Sequence, residues 1–357
     1  MLGRIRLTNW RLRIAIMAGI LVGTCLLYVV NLLSPVSRDP NAEVKRVVIA
    51  SGMTGRQIAQ LLEQEGIIKS STAFYLLSRY SSASGRMQAG VYDLSPNETP
   101  KRLLERFYMG DTVNLAVKVT IPEGYTIKQI AKVLEEREIV EADEFLDYVR
   151  TAPLPYDFLE AAVAQREPER RLEGYLFPDT YDFVPDSSPA EVVKAMTNRF
   201  KQVIEPLVPA EVLEGGQLAD LPVPLTLDEI VILASIVEKE AVVDPERSTI
   251  AGVFFNRLKI NQRLQSCATV QYILEKPKPI LSDAEMAIDS PYNTYVNDGL
   301  PIGPVANAGS ASIRAVLNPE ATPYYYFVAK EDGSGEHVFS KTFAEHQAAI
   351  RAIRKPK

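Results

Sequence analysis

Thr226-Leu227-Asp228-Glu229-Ile230-Val231-Ile232-Leu233-Ala234-Ser235-Ile236-Val237-Glu238-Lys239-Glu240-Ala241 carries both a helix start and a candidate acid. Thr226 and Glu229 have the spacing of a capping box, in which each side chain satisfies a backbone amide that the first turn leaves free. With the apolar run behind them, they predict a helix from Leu227 to about Val242. Steps of about 100° per residue put Leu233, Ile236 and Val237 on one face, with Glu240 projecting between Leu233 and Ile236. Lys239 then points to solvent, and Glu238 falls on the opposite edge of the apolar stripe. A carboxyl group on an apolar face is costly unless it is paired or used. Loss of hydration also favours the protonated form, which a general acid needs. Glu240 is therefore the stronger candidate, and its structural alternative is an ion pair with Arg257 in the following helix.

That following helix is expected to start at Asp244-Pro245, as N-cap and first-turn proline, and to run through Val253, Phe254, Phe255 and Leu258 to about Ile260. The short turn between the helices keeps Glu240 near Asn256 and Arg257. Beyond lie Leu264-Gln265-Ser266, Tyr292-Asn293-Thr294-Tyr295 and Gly299-Leu300-Pro301-Ile302-Gly303-Pro304. Neutral amides and phenols suit a sugar, whose hydroxyls need donors and acceptors and whose C–H faces stack on rings. Asn256, Gln265, Tyr292, Asn293 and Tyr295 are the candidates for positioning it, against the plainer alternative of loop and core hydrogen bonding.

Upstream, one pattern occurs twice. Val47-Val48-Ile49-Ala50-Ser51-Gly52-Met53-Thr54, then Gln57-Ile58-Ala59 and Leu62-Glu63, recurs as Val119-Thr120-Ile121-Pro122-Glu123-Gly124-Tyr125-Thr126, then Gln129-Ile130-Ala131 and Leu134-Glu135. Each copy reads as a strand, a glycine turn, a capping threonine and an amphipathic helix. The first continues into a strand at Gly90-Val91-Tyr92-Asp93-Leu94 and a helix from about Thr99 to Tyr108, so residues 45–112 form a small α/β module. Arg171 to Tyr181 reads as an aromatic loop between helices, and Glu211 to Pro224 as a second loop. The fold class is α+β.

Ile14 to Leu33 is apolar or small except for Thr24, Tyr28 and Asn31, about the 20 residues that cross a bilayer core. Arg4, Arg6, Arg11 and Arg13 precede it with no acidic residue, which places the N-terminus in the cytoplasm and the rest outside. A cleaved signal peptide is the alternative, but the run exceeds the usual apolar region and no small-x-small site follows. The expected order is a cytoplasmic tail at 1–13, a span at 14–33 in the inner membrane, and a linker at 34–44. Cys25 and Cys267 are too differently placed to pair, and His337 and His346 belong to no metal-ligand cluster. No metal or cofactor is expected. A net charge of −6 without a basic stripe argues against nucleic acid as a partner.

Taken together, Ala234 to Ala241, Phe255-Asn256-Arg257-Leu258, Arg263-Leu264-Gln265-Ser266, Tyr292 to Tyr295, Gly299-Leu300-Pro301, Ile121 to Thr126 and Glu173 to Tyr181 resemble the endolytic murein transglycosylase (YceG/MltG-like) family. The resemblance implies a single-pass membrane enzyme with a LysM-like module ahead of a catalytic domain at 113–355, whose core at about 225–345 has a lysozyme-like catalytic helix. It places the family's catalytic glutamate at Glu240 and likens the Leu264-Gln265 and Tyr292-Asn293 pairs to groove-lining motifs of lysozyme-like transglycosylases. The implied reaction cuts the bond between N-acetylmuramic acid and N-acetylglucosamine in nascent peptidoglycan strands. It leaves 1,6-anhydromuramyl ends, ends glycan elongation, and puts the enzyme in the company of cell-wall synthesis proteins.

One departure stands out: where that family usually has Asp-Pro after Leu-Gln-Ser/Thr, this chain has Cys267-Ala268. Cys267 is expected to be a small buried residue, with an exposed thiol as the alternative. Two other classes compete. A water-using muramidase needs a second carboxylate, for which Asp283, Glu285 and Asp289 are nearest in sequence. A non-catalytic wall-binding scaffold needs Glu240 to be structural.

Overall fold

The computed structural model describes residues 5–50, 52–81, 87–113, 115–275, 278 and 280–353. Arg4 and Ser51, named above, lie outside the described residues, as do the ends of the 1–13 and 113–355 segments. The chain divides into two compact units, Met1–Leu115 and Ala116–Lys357.

The first unit begins with the helix Ile5–Leu32. Within it Arg13–Leu32 is long and apolar enough to cross a membrane, with mean hydropathy 2.2 and no part buried against protein. The small fold beyond it is a two-stranded antiparallel sheet, Lys45–Ile49 against Gly90–Leu94 with Val47 opposite Tyr92, covered by helices Gly55–Gln64, Ser71–Tyr80 and Pro100–Met109. Alternation decides the inward face: Val47, Ile49, Tyr92 and Leu94 are buried with Ile58, Leu62, Phe74, Leu103 and Phe107. The helix Ser71–Tyr80 was not foreseen. The stretch 34–44 does not hang free as a linker, because Ser37 N donates to Pro96 O at 2.9 Å and Asn97 Nδ2 reaches the carbonyls of Asp39 and Pro40. Lys69 Nζ bonds Ser34 Oγ and Asn31 Oδ1, tying the end of the long helix to the same body.

The second unit opens with the second copy of the repeat, the strand Val117–Thr120 and helix Ile127–Glu136. Its strand pairs antiparallel with Thr180–Phe183, Val119 opposite Tyr181. The passage expected as an aromatic loop therefore ends in a strand, whose alternation is hidden in sequence behind Pro178-Asp179. Glu211 to Pro224 is likewise not all loop. It holds a helical turn, Ala210–Leu213, and a short strand, Gln217–Leu218, paired with Leu225–Thr226.

The helix Leu227–Glu240 forms at the capping box, with Thr226 and Glu229 bonded reciprocally. It is not the half-exposed helix that a single stripe implies. Leu227, Asp228 and every residue from Ile230 to Val237 are buried, because apolar side chains surround it on all sides and only a central position hides them all. It packs on helices Arg247–Lys259, Cys267–Leu274 and Ser310–Leu317. Asp244-Pro245 does not start the Arg247–Lys259 helix directly but forms a short 3-10 turn before it.

Candidate active site

The buried helix ends at Glu240, so its last turn delivers two carboxylates to different surroundings. Glu238 has a side chain only 6 % exposed and meets Arg247 Nη1 at 3.2 Å, while Gly309 N donates to its other oxygen at 3.0 Å. Arg247 is further held by Asp244 and Ser312 Oγ. Burial works against the Arg247 charge, and Glu238 and Asp244 more than restore it. Glu240 is half-buried. Its Oε1 accepts the hydroxyl of Ser266, and the amide of Ala268 approaches the same oxygen at 3.5 Å.

The ion pair weighed as the alternative role of Glu240 forms instead between Glu238 and Arg247. Arg257 donates to the carbonyls of Tyr325 and Leu264, both at 2.6 Å. Lys239 is exposed, as expected, and its end donates to the carbonyl of Gly124 at 3.2 Å.

The wall facing Glu240 is a ladder of short polar side chains. Gln265 N donates to Thr294 O at 3.1 Å and Ser266 N to Thr294 Oγ1 at 3.0 Å. Thr269 Oγ1 donates to Ser266 O at 2.8 Å and lies 3.0 Å from Thr294 Oγ1. Gln265 sits at φ +48°, a left-handed backbone rare for a residue with a side chain, and its side chain is exposed. Cys267 is exposed, not buried, and its Sγ lies 3.1 Å from Tyr295 Oη. Desolvation of the sulfur raises the Cys267 thiol above its ordinary value; the Tyr295 bond opposes this and Glu240 reinforces it. Burial, Cys267 and Glu240 together hold the Tyr295 phenol well above its usual range. Both groups therefore stay neutral beside Glu240.

Of the sugar-positioning candidates, Gln265 and Tyr295 border Glu240 through Ser266 and Cys267. Of the other three, Asn256 and Asn293 spend their amides on the scaffold, and Tyr292 is buried with its hydroxyl unpartnered among the described residues. Both amide hydrogens of Asn256 go to the carbonyls of Thr322 and Tyr324. Asn293 is fully buried, donating to Met286 O and Ile288 O and accepting from Tyr295 N at 2.9 Å, which aims the Tyr295 backbone. Tyr292 is fully buried against Tyr272, with the Arg170 guanidinium 4.9 Å from its ring centre.

A second polar centre lies under the turn of the repeat. Glu173, 2 % exposed, accepts from Ile127 N, Tyr272 Oη and Asn307 Nδ2. Burial raises its carboxyl to about 7, against the pull of those donors. Asn307 also donates to Tyr125 O and accepts from Leu176 N, so one amide joins two segments that the sequence shows as separate motifs.

The YceG-like family matches residues 47–352 of the chain. The chain belongs to the YceG-like family. Among similar proteins, the endolytic murein transglycosylase of Bacillus subtilis (strain 168) is 35 % identical over 340 residues, spanning 92 % of this chain and 90 % of that protein. The endolytic murein transglycosylase of Streptococcus pneumoniae serotype 2 (strain D39) is 30 % identical over 324 residues, 85 % of this chain and 57 % of that protein. A crystal structure of a putative yceG-like protein from Listeria monocytogenes superposes with a TM-score of 0.57 at 31 % identity, covering 86 % of this chain and 99 % of the other.

Within this YceG-like chain, sequence reasoning passed over Ser266, Arg247 and Glu173. Ser266 and Glu173 lie inside motifs quoted above, yet nothing local distinguishes a serine that meets a carboxylate 26 residues away. Arg247 carries a usable signal: it stands nine residues after Glu238, across a tight turn.

Proposed function

We infer that this chain is a membrane-anchored endolytic lytic transglycosylase acting on peptidoglycan glycan strands, with Glu240 as its acid and base. The observation that carries the reading is the contrast at the end of the buried helix. Glu238 is consumed by Arg247 and the Gly309 amide, whereas Glu240, among the described residues, takes hydrogen bonds only from the neutral Ser266 hydroxyl and Ala268 amide, in a half-open setting beside Cys267 and Tyr295. A near-full-length relative that bears the transglycosylase name agrees with it.

Protonated Glu240 gives its proton to the glycosidic oxygen between N-acetylmuramic acid and N-acetylglucosamine. The bond from that oxygen to the muramyl C1 breaks, and the electron pair leaves with the N-acetylglucosamine hydroxyl. The muramyl 6-hydroxyl then closes on C1 and returns its proton to the Glu240 carboxylate. The enzyme ends as it began, no water is consumed, and one carboxyl group suffices. Hydrolysis needs a second carboxylate. Cys267 in place of the usual aspartate removes one candidate, and Glu285 is occupied with Lys278 and the cap of its own helix, which hold its carboxyl down at about 2.

Gln265 and Tyr295 contact the sugar in this reading, while Asn256, Tyr292 and Asn293 shape the wall behind it. The Arg13–Leu32 helix spans the inner membrane with the arginine-rich end in the cytoplasm. The 45–112 segment serves as a LysM-like module, and residues 113–355 as the catalytic domain with the lysozyme-like helix. Partner proteins of cell-wall synthesis fit this placement. Digestion of isolated glycan strands followed by mass analysis tests the function. Anhydro ends are expected from wild type, no cleavage from Glu240→Gln, and largely retained cleavage from Glu238→Gln. Reducing ends would overturn the lyase reading, and a near wild-type rate in Glu240→Gln would overturn the assignment of the acid.

A further inference from the structure

The two carboxyl oxygens of Glu240 are not equivalent. Oε1 accepts the Ser266 hydroxyl and faces the Ala268 amide at 3.5 Å; among the described residues no donor reaches Oε2. Ser266 is only 3 % exposed, and its own backbone is fully engaged, N–H to Thr294 Oγ1 and C=O to Thr269 Oγ1. A hydroxyl has one proton to donate. If Oε1 carried the acid proton and gave it to Ser266 Oγ, the serine's proton would be left buried without an acceptor, which the fold avoids. Oε1 therefore remains an acceptor whether Glu240 is neutral or charged.

We propose that Ser266 is a positioning residue that fixes Oε1 of Glu240 as a permanent acceptor, so that the proton given to the glycosidic oxygen and recovered from the 6-hydroxyl travels on Oε2. The proposal rests on the reading of Glu240 as the acid. Two further features favour it. Ala268 supplies a second, weaker donor to Oε1 at a position where proline, the residue usual in the resembling family, has no N–H to give. Thr294 and Thr269, bonded to each other, hold the Ser266 backbone at its N–H and at its carbonyl, which fixes the point from which its side chain reaches Glu240.

Removing Ser266 frees Glu240 to rotate, an effect that falls on turnover and not on sugar binding. The test uses the chain in detergent with defined glycan strands. Ser266→Ala is expected to lower kcat by roughly 10- to 100-fold through misorientation, with KM unchanged. Ser266→Thr, which keeps the hydroxyl, is expected to restore most of kcat. Should Ser266→Ala fail to fold, Ser266→Cys, with a similar shape and a weak donor, is expected to show the same loss in reduced form. Wild-type kcat in the alanine variant would overturn the proposal. So would equal losses in the alanine and threonine variants, or a loss carried by KM, which indicate packing alone. Activity in Glu240→Gln is a separate failure, one that removes the acid itself whatever Ser266 does.

Discussion

The two copies of the strand-turn-helix pattern share their local construction and differ in what surrounds it. In the first, Thr54 and Gln57 close a capping box; in the second, Thr126 and Gln129 close the same box. Both turns hold a glycine at left-handed φ, +85° at Gly52 and +75° at Gly124, where a side chain would be strained. A Cβ on Gly52 would meet open space, whereas one on Gly124 would touch Glu238 and Lys239 at 3.5–3.7 Å. The Gly124 and Tyr125 backbone is also locked to Asn307, and Ile127 N to Glu173. One unit closes a small core, and the same unit elsewhere serves as a bracket for the end of the buried Leu227–Glu240 helix. The difference lies in the long-range polar partners, not in the unit.

The most direct way to break that comparison is to remove the bracket. Asn307→Ala leaves the Leu176 amide, one Glu173 oxygen and the Tyr125 carbonyl short of a partner, and should cost about 4 kcal/mol. Hydrogen exchange should then show the Ile127–Glu136 helix losing protection while Gly55–Gln64 keeps its own. Equal loss in both helices, or none, would mean that the two copies do not differ as described.

A smaller effect follows from Glu173. Its folded value of about 7 stands above the ordinary 4.5, so the native state holds a proton that the unfolded chain has released. The stabilising contribution is complete below pH 4.5 and is lost as pH rises through about 7, a total of about 3 kcal/mol. Glu173→Gln, neutral throughout, should flatten that fall when denaturation is followed between pH 4.5 and 8. An unchanged slope would place the pH dependence elsewhere.

The smallest effect sharpens the likeness. Thr54→Ala and Thr126→Ala each remove one cap and should each cost about 1 kcal/mol, because a cap bonds only within its own turn. Thermal unfolding that separates the two by much more than this would show that context reaches into the caps as well.

Much of this organisation is legible in the residues themselves. The capping boxes, the apolar segment, the repeated turns and the position of Glu240 at a helix end all depend on groups within a few residues of each other. The Thr180–Phe183 strand was not legible, since its partner lies 60 residues upstream. Nor was Cys267 as an exposed thiol, because its exposure depends on where Tyr295 leaves room.

By itself the sequence determined the α+β elements, the anchor candidate and the pair of carboxylates at the end of one helix. Only the tertiary structure decided which carboxylate is spent and which is free. Helical geometry puts Glu238 and Glu240 on different sides but says nothing of what waits there. Arg247, Gly309 and Ser266 arrive from other turns and helices, and hydrogen bonds are too short-ranged to be assigned until those elements are packed.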